Sequence, residues 1–140
     1  MAAAVLAADQ LSKAWAVRAL ERRPVGLLGP VRLALTRNTA AAFGLGGDLV
    51  PFLALAVLGL VVAVAARGRA TSRRAVAVGV GLVMGGAFGN LADRLFRSPG
   101  LLRGAVVDFI DLRWWPVFNL ADTAITCGCV LLLLASRRAS

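Results

Sequence analysis

Three stretches of this chain run nearly the thickness of a bilayer with almost no charge. Residues 49–66 (LVPFLALAVLGLVVAVAA) and 75–91 (AVAVGVGLVMGGAFGNL) carry none, and residues 118–135 carry one, Asp122. A hydrocarbon core of about 30 Å takes roughly 20 apolar residues in a helix, so each stretch reads as a transmembrane helix. The hydrophobic fraction is 59%, against roughly 45–50% in soluble domains. The surplus lies in these runs, and a bilayer is their natural solvent. Residues 1–20 form a less clean fourth run that holds Asp9, Lys13 and Arg18. A signal peptide is expected ahead of a soluble domain, and the remainder here is not soluble. The run therefore reads as a first span that starts abnormally early.

The formal net charge of +9, from 16 basic and 7 acidic residues, would point to nucleic acid in a soluble protein. Here the basic residues lie mostly in short connectors, where they set topology and meet anionic headgroups, so membrane lipid is the expected partner and nucleic acid is not. The connector 67–74 (RGRATSRR) packs four arginines into eight residues, and Arg137 and Arg138 follow the last run. The positive-inside rule places both in the cytoplasm, and an even number of spans puts the N-terminus there too. Segments 21–48 and 92–117 then face outward.

These outward segments carry strand signals. In residues 30–37 (PVRLALTR), Val31, Leu33 and Leu35 alternate with Arg32, Ala34 and Thr36, and residues 106–112 (VVDFIDL) are rich in β-branched side chains. A small sheet at the outer surface is expected, with a turn at Pro99-Gly100. In 75–91, Gly81, Gly85 and Gly89 recur every four residues, a spacing that lets another helix approach closely. Cys127 and Cys129, at i and i+2 in a helix, point in different directions and read as small apolar fillers rather than a bridge.

The chain has no histidine and no tyrosine. That excludes Ser-His-Asp and Cys-His catalysis and histidine-ligated metals, and leaves carboxylates, Lys13, hydroxyls and amides. Asp122 stands at the outer start of the last run, where a carboxylate is costly unless it faces protein or water. Asp108 sits between large apolar residues, with Asp111 a nearby rival of less apolar flanks. Asn90, Asp93 and Arg94 fall at i, i+3 and i+4 on one polar edge, Asn119 lies one helical turn before Asp122, and Asn38 follows the first strand. By the topology above all of these map to one side of the membrane. Two carboxylates that share a proton suggest peptide hydrolysis without a covalent intermediate: one activates a water, and the other donates to the carbonyl oxygen.

Five ordered segments resemble the lipoprotein signal peptidase (signal peptidase II) family: Asp9-Gln10-Leu11-Ser12-Lys13, Asn38-Thr39-Ala40-Ala41-Ala42-Phe43, Gly85-Gly86-Ala87-Phe88-Gly89-Asn90-Leu91-Ala92-Asp93-Arg94, Val106-Val107-Asp108-Phe109, and Phe118-Asn119-Leu120-Ala121-Asp122-Thr123-Ala124-Ile125. The resemblance implies a membrane α-helical fold, four transmembrane helices with a small extracytoplasmic β-cradle, as one domain over residues 1–140. It implies Asp108 and Asp122 as catalytic dyad, Asn38, Asn90, Arg94 and Asn119 as substrate-binding, and Asp9, Lys13 and Asp93 as structural. It further implies a prolipoprotein substrate carrying diacylglycerol, cut just before the lipidated cysteine, and inhibition by globomycin-type cyclic peptides. Neither cofactor nor metal is expected. The implied setting is the bacterial cytoplasmic (inner) membrane, with the site at its outer face and the enzyme a monomer.

The chain departs from the family pattern at Ala40, where glycine is common, and in the short stretch 111–119 (DLRWWPVFN) between the two aspartates. Trp114 and Trp115 there suit an interfacial belt. Two rival readings are a small proton or cation carrier, which would hold its carboxylates near the bilayer midplane, and a structural membrane subunit, which leaves the convergent polar set unexplained.

Overall fold

A computed structural model describes residues 1–39, 59, 73–100 and 103–137. Apart from Gly59, the expected span 49–66 lies outside the described residues, as does Ala40. Helix α1 is Ala2–Leu20, α2 is Arg73–Phe96 and α3 is Leu120–Arg137; strands β1 (Val25–Gly26), β2 (Arg32–Asn38) and β3 (Val106–Asp111) form one sheet. At 1.5 Å per residue, the segment Arg74–Phe96 is long and apolar enough to cross a membrane, and Leu120–Ala135 is a shorter apolar helix. α2 extends past its hydropathy run at both ends, while α3 begins two residues after its run starts and ends two residues beyond it. Alanine and leucine, the strongest helix formers, dominate α1 and hold it helical through its charged positions.

The glycines of α2 lie on two faces, and each face admits a different helix. A Cβ on Gly81 would meet Met1 at 2.8 Å, one on Gly85 would meet Val5 at 2.6 Å, and one on Gly89 would strike the Asp9 carboxylate. This is the four-residue stripe read from the sequence, and it seats α1. The other face seats α3: a Cβ on Gly86 would meet the Ala121 carbonyl oxygen at 2.5 Å, and one on Gly79 would meet Leu132 at 2.7 Å. Gly128 of α3 approaches Gly79 and Val83 in return. Without a hydrophobic effect between helices in lipid, such close backbone packing is what holds them together.

The sheet is antiparallel in the order β1-β2-β3. Thr36 pairs with Asp108 and Asn38 with Val106, with an irregularity between Leu33 and Thr36. Strand side chains alternate, so Val107 and Phe109 share a face opposite Asp108. Val107 and Phe109 pack on Ala16 and Leu20 of α1, with Val17, Leu33, Leu35 and Ile110 around them. This small core fixes the sheet against the C-terminal end of α1. The same end of the molecule receives the C-terminus of α2 and the N-terminus of α3.

After α2 the chain turns back tightly. Gly100 has φ +94°, and Arg103 N donates to its carbonyl at 3.0 Å. Gly104 then lies so close to the last turn of α2 that a Cβ would collide with the Asp93 carbonyl oxygen and meet those of Arg97 and Arg94 at 2.7 and 3.0 Å. Backbone cannot yield as a side-chain tip can. Gly104→Ala is expected to lower stability by about 1–3 kcal/mol, the range of overpacked sites. Thermal unfolding in detergent checks this, and an unchanged midpoint would disprove the close approach.

The cysteines depart from the sequence reading in part. Both are free, as expected, but Cys127 is exposed and Cys129 only half-buried. Their flank of α3 is thus outside the packed interior.

Candidate active site

The short connection from β3 to α3 folds back on its own strand. Ile110 N donates to the Phe118 carbonyl at 2.9 Å, and Phe118 N donates to the Ile110 carbonyl at 3.1 Å. That closure delivers Asn119 beside Asp108, two strand positions before Ile110. Trp114 and Trp115, at the loop tip, are exposed and meet edge to face with centroids 6.0 Å apart.

Asn119 is fully buried and touches both aspartates. Its side-chain Nδ2 donates to Asp108 Oδ1 at 2.7 Å, while its backbone N donates to Asp122 Oδ2 at 3.2 Å. In return Asp122 N donates to Asn119 Oδ1 at 3.0 Å. This reciprocal pair, three residues apart, is a capping box with asparagine and aspartate in the usual serine and glutamate places. It starts α3 and fixes the Asp122 carboxyl at once. Asn90, from the penultimate turn of α2, donates through Nδ2 to Asp122 Oδ1 at 2.8 Å. Its Oδ1 accepts from Asn119 Nδ2 at 3.2 Å. Asn38, at the end of β2, reaches Asp108 Oδ2 at 3.5 Å.

Burial pushes the Asp108 carboxyl up to about 6, and repulsion from the Asp122 carboxylate works in the same direction. The Asn119 and Asn38 amides and the charge of Lys13 pull the other way. Asp122 is half-buried and stands in the first turn of α3, where the helix macrodipole favours negative charge.

Arg94 is buried and its Nη1 donates to main-chain carbonyls: Gly104 at 3.0 Å, Asn38 at 3.2 Å and Thr39 at 3.5 Å. It ties the end of β2 to the segment entering β3. Asp111 is set apart. It lies an odd number of strand positions from Asp108 and so faces the other way. Arg32 Nε donates to its Oδ2 at 2.6 Å and Arg113 N to its Oδ1 at 2.7 Å. These partners hold its carboxyl below the usual carboxylate range, the Arg113 amide most. Arg113 has φ +69°. Asp111→Asn is therefore expected to keep activity within about threefold, since among the described residues the partners of Asp111 are Arg32 and Arg113 and not Asp108 or Asp122. Complete loss in a folded variant would move the chemistry to this residue.

Below these groups lies an ion cluster. Lys13 Nζ sits 2.8 Å from Asp9 Oδ2 and 3.0 Å from Asp93 Oδ2, and donates to Asn90 Oδ1 at 2.9 Å. Arg97 Nε donates to Asp93 Oδ1 at 2.7 Å. Gln10, which sequence reasoning passed over, donates through Nε2 to the Gly89 carbonyl at 3.0 Å and to Asp9 and Asp93, each at 3.2 Å. The capping box was also missed, although Asn-x-x-Asp ahead of an apolar run is a readable signal for one.

A helical body with one segment long and apolar enough to cross a membrane, a small sheet against its end, and two carboxyls bonded to one asparagine fit the class of membrane enzymes that work through carboxyls. The family model for signal peptidase (SPase) II matches residues 1–138. The lipoprotein signal peptidase of Rhodococcus jostii is 48% identical over 136 residues, covering 96% of this chain and 69% of that protein. The lipoprotein signal peptidase of Mycobacterium avium is 45% identical over 138 residues, covering 97% and 76%. A solved structure of a bacterial membrane enzyme superposes with a TM-score of 0.73 at 27% identity, covering 98% of this chain and 85% of that one. The chain belongs to the signal peptidase II family, and it is a membrane peptidase.

Proposed function

We propose that this peptidase is of the aspartic type and removes signal peptides from diacylglyceryl-modified prolipoproteins, cutting just before the lipidated cysteine. Asp108 and Asp122 form the catalytic pair. Residues 1–140 act as one domain of four transmembrane helices in the bacterial inner membrane, with the site at the outer face, as a monomer without metal or cofactor. Asn38, Asn90, Arg94 and Asn119 line the site and hold substrate. The observation that carries the reading is Asn119, which bonds Asp108 through its side chain and Asp122 through its backbone. A proton carrier would want such a pair at mid-bilayer, whereas here one acid is on a strand and the other opens a helix.

Asp108 and Asp122 bond to the same asparagine and the Asp122 charge raises Asp108, so the two hold one proton between them. Asp108, raised by burial and by its neighbour, carries the proton. Asp122, the anion, accepts a proton from a water as that water attacks the scissile carbonyl carbon. Asp108 gives its proton to the carbonyl oxygen, which yields a neutral tetrahedral diol. Collapse re-forms the carbonyl, returns a hydroxyl proton to Asp108, and passes the proton on Asp122 to the departing amine. The pair ends as it began.

The purified protein in detergent is expected to cleave a diacylglyceryl-modified prolipoprotein and to leave the unlipidated precursor uncut. A globomycin-type peptide should inhibit it. Equal cleavage of both precursors would reject the substrate assignment. The pH profile follows from Asp108. The active form needs its proton, so kcat/KM should fall as pH rises through about 6. Between pH 7 and pH 8 the fall should be about tenfold, one proton per unit. A flat profile from pH 5 to pH 8 would exclude a shared proton.

A further inference from the structure

Two buried carboxylates, neither of them in the proposed catalytic pair, each hold the backbone N–H just before a member of that pair. Asp93 Oδ2 accepts from Val107 N at 3.1 Å, and Val107 precedes Asp108. Asp9 Oδ1 accepts from Ala121 N at 3.0 Å, and Ala121 precedes Asp122. Lys13 Nζ joins the two carboxylates, at 2.8 and 3.0 Å. Side-chain exposure is 0% at all three residues. The same ammonium has one more acceptor, Asn90 Oδ1 at 2.9 Å. An ammonium has donors only, so Asn90 must turn its oxygen to Lys13 and its Nδ2 to Asp122.

From this we infer that Asp9, Lys13 and Asp93 are positioning residues. Together they act as a gauge that sets the separation of the Asp108 and Asp122 carboxyls and fixes the orientation of the Asn90 amide between Lys13 and Asp122. The inference rests on the proposed pair and adds to it a reason for burying charge here. Two of the three anchors run from α1 and α2 to other elements at the site, α3 and β3 respectively, so neither local helix geometry nor the sheet register could set this spacing. Charge balance fits the role. Asp9 and Asp93 are matched by Lys13 and Arg97, so the cluster can stay dry without a net charge. The polar and charged groups facing Asp108 are Asp122 and Asn119 from the start of α3, Asn38 from β2, Lys13 from α1 and Arg94 from α2. A change in the cluster reaches Asp108 through Lys13 and through the spacing to Asp122.

The test separates positioning from scaffolding. Lys13→Met alone leaves the buried Asp9 carboxylate without a cation, while Asp93 keeps Arg97, and is expected to unfold. The double variant Asp9→Asn with Lys13→Met removes one charge of each sign and leaves Asp93 with Arg97, and Lys13→Arg keeps every charge but lengthens the bridge. Both are measured in detergent with the lipidated prolipoprotein, and rates are divided by the folded fraction from thermal unfolding. In both, kcat per folded molecule is expected to fall at least tenfold with KM within twofold. The alkaline limb of kcat/KM should move by half a pH unit or more: down in Lys13→Arg, as the two carboxyls part and repel less, and up in the double variant, where Asp108 loses the Lys13 charge that lowers it. A kcat within twofold and an unmoved limb would overturn the inference. So would a loss accounted for wholly by unfolding, or failure of both variants to fold, since the cluster would then be a scaffold only. The pair itself is judged separately: full activity in Asp108→Asn or Asp122→Asn of the otherwise native chain removes the pair and this gauge with it, whatever the cluster variants do.

Discussion

Asp122→Asn and Asp108→Asn should each lower kcat by at least about 10³-fold, with KM within a fewfold. Acid–base catalysis by one group is worth roughly 10²–10⁴. Here each acid takes or gives a proton in both the attack and the collapse, so the upper part of that range applies. Neither change removes the donors that face the acid. Asn119 N and Asn90 Nδ2 lie 3.2 and 2.8 Å from Asp122, and an amide oxygen at one of these places still accepts. Stability should move the opposite way at Asp108. A carboxyl whose folded value is raised to about 6 from 3.8 binds its proton more tightly in the fold. It costs nothing below about 3.8, costs progressively more as pH rises from there to 6, and costs its full amount above 6. At about 1.4 kcal/mol per unit, the full amount is on the order of 2–3 kcal/mol. Asp108→Asn should therefore unfold at a higher temperature than the native chain at pH 7, and the gap should close by pH 4. A variant that loses activity and stability together at pH 7 would mean that Asp108 is structural.

The second large effect is expected at Asn119. Asn119→Ala removes the acceptor for Asp122 N, 3.0 Å away, and the donor to Asp108, 2.7 Å away. Loss of an N-cap costs about 1 kcal/mol, up to 2. The orphaned Asp108 oxygen adds a buried unpaired acceptor, worth roughly 1–3 kcal/mol. Activity should drop by about 10²-fold in kcat, because both acids lose the group that spaces them. Asn119→Asp keeps the cap oxygen but sets a third carboxyl against Asp108 Oδ1 and the Val107 carbonyl, so it should restore little of the thermal stability and little of the activity. A variant Asn119→Ala with native kcat would show that the shared asparagine does not organise the site.

Parts of this arrangement could be read from the chain. Residues 106–111 are a strand because β-branched and aromatic side chains fit a pleated surface, and 75–91 is the centre of α2 because nothing charged interrupts it. The glycine stripe 81/85/89 was legible as a packing face, since its period is the helix's own. Its partner, α1, was not legible, because period says that a face exists and not what covers it. The second glycine face, Gly79 and Gly86, does not follow a four-residue rule and shows only once α3 is seen against it. Asp108 was ranked above Asp111 on the strength of its apolar flanks. In space the difference lies in partners: Arg32 and Arg113 occupy Asp111, while asparagines and a second acid surround Asp108.

By itself the sequence determined what is local: apolar runs long enough to span, strand alternation, the residues able to hold a proton, and the ordered segments that mark the family. Those properties repeat over a few residues and need no partner. Only the tertiary structure decided which acids meet and which charges may be buried. The bond from Ala121 N to Asp9 joins positions 112 apart in the chain, and Lys13, paired within its own helix to Asp9, finds its further partners Asp93 and Asn90 in α2. The cost of a buried charge is set by what stands within about 3 Å of it, and no local pattern in a chain records that.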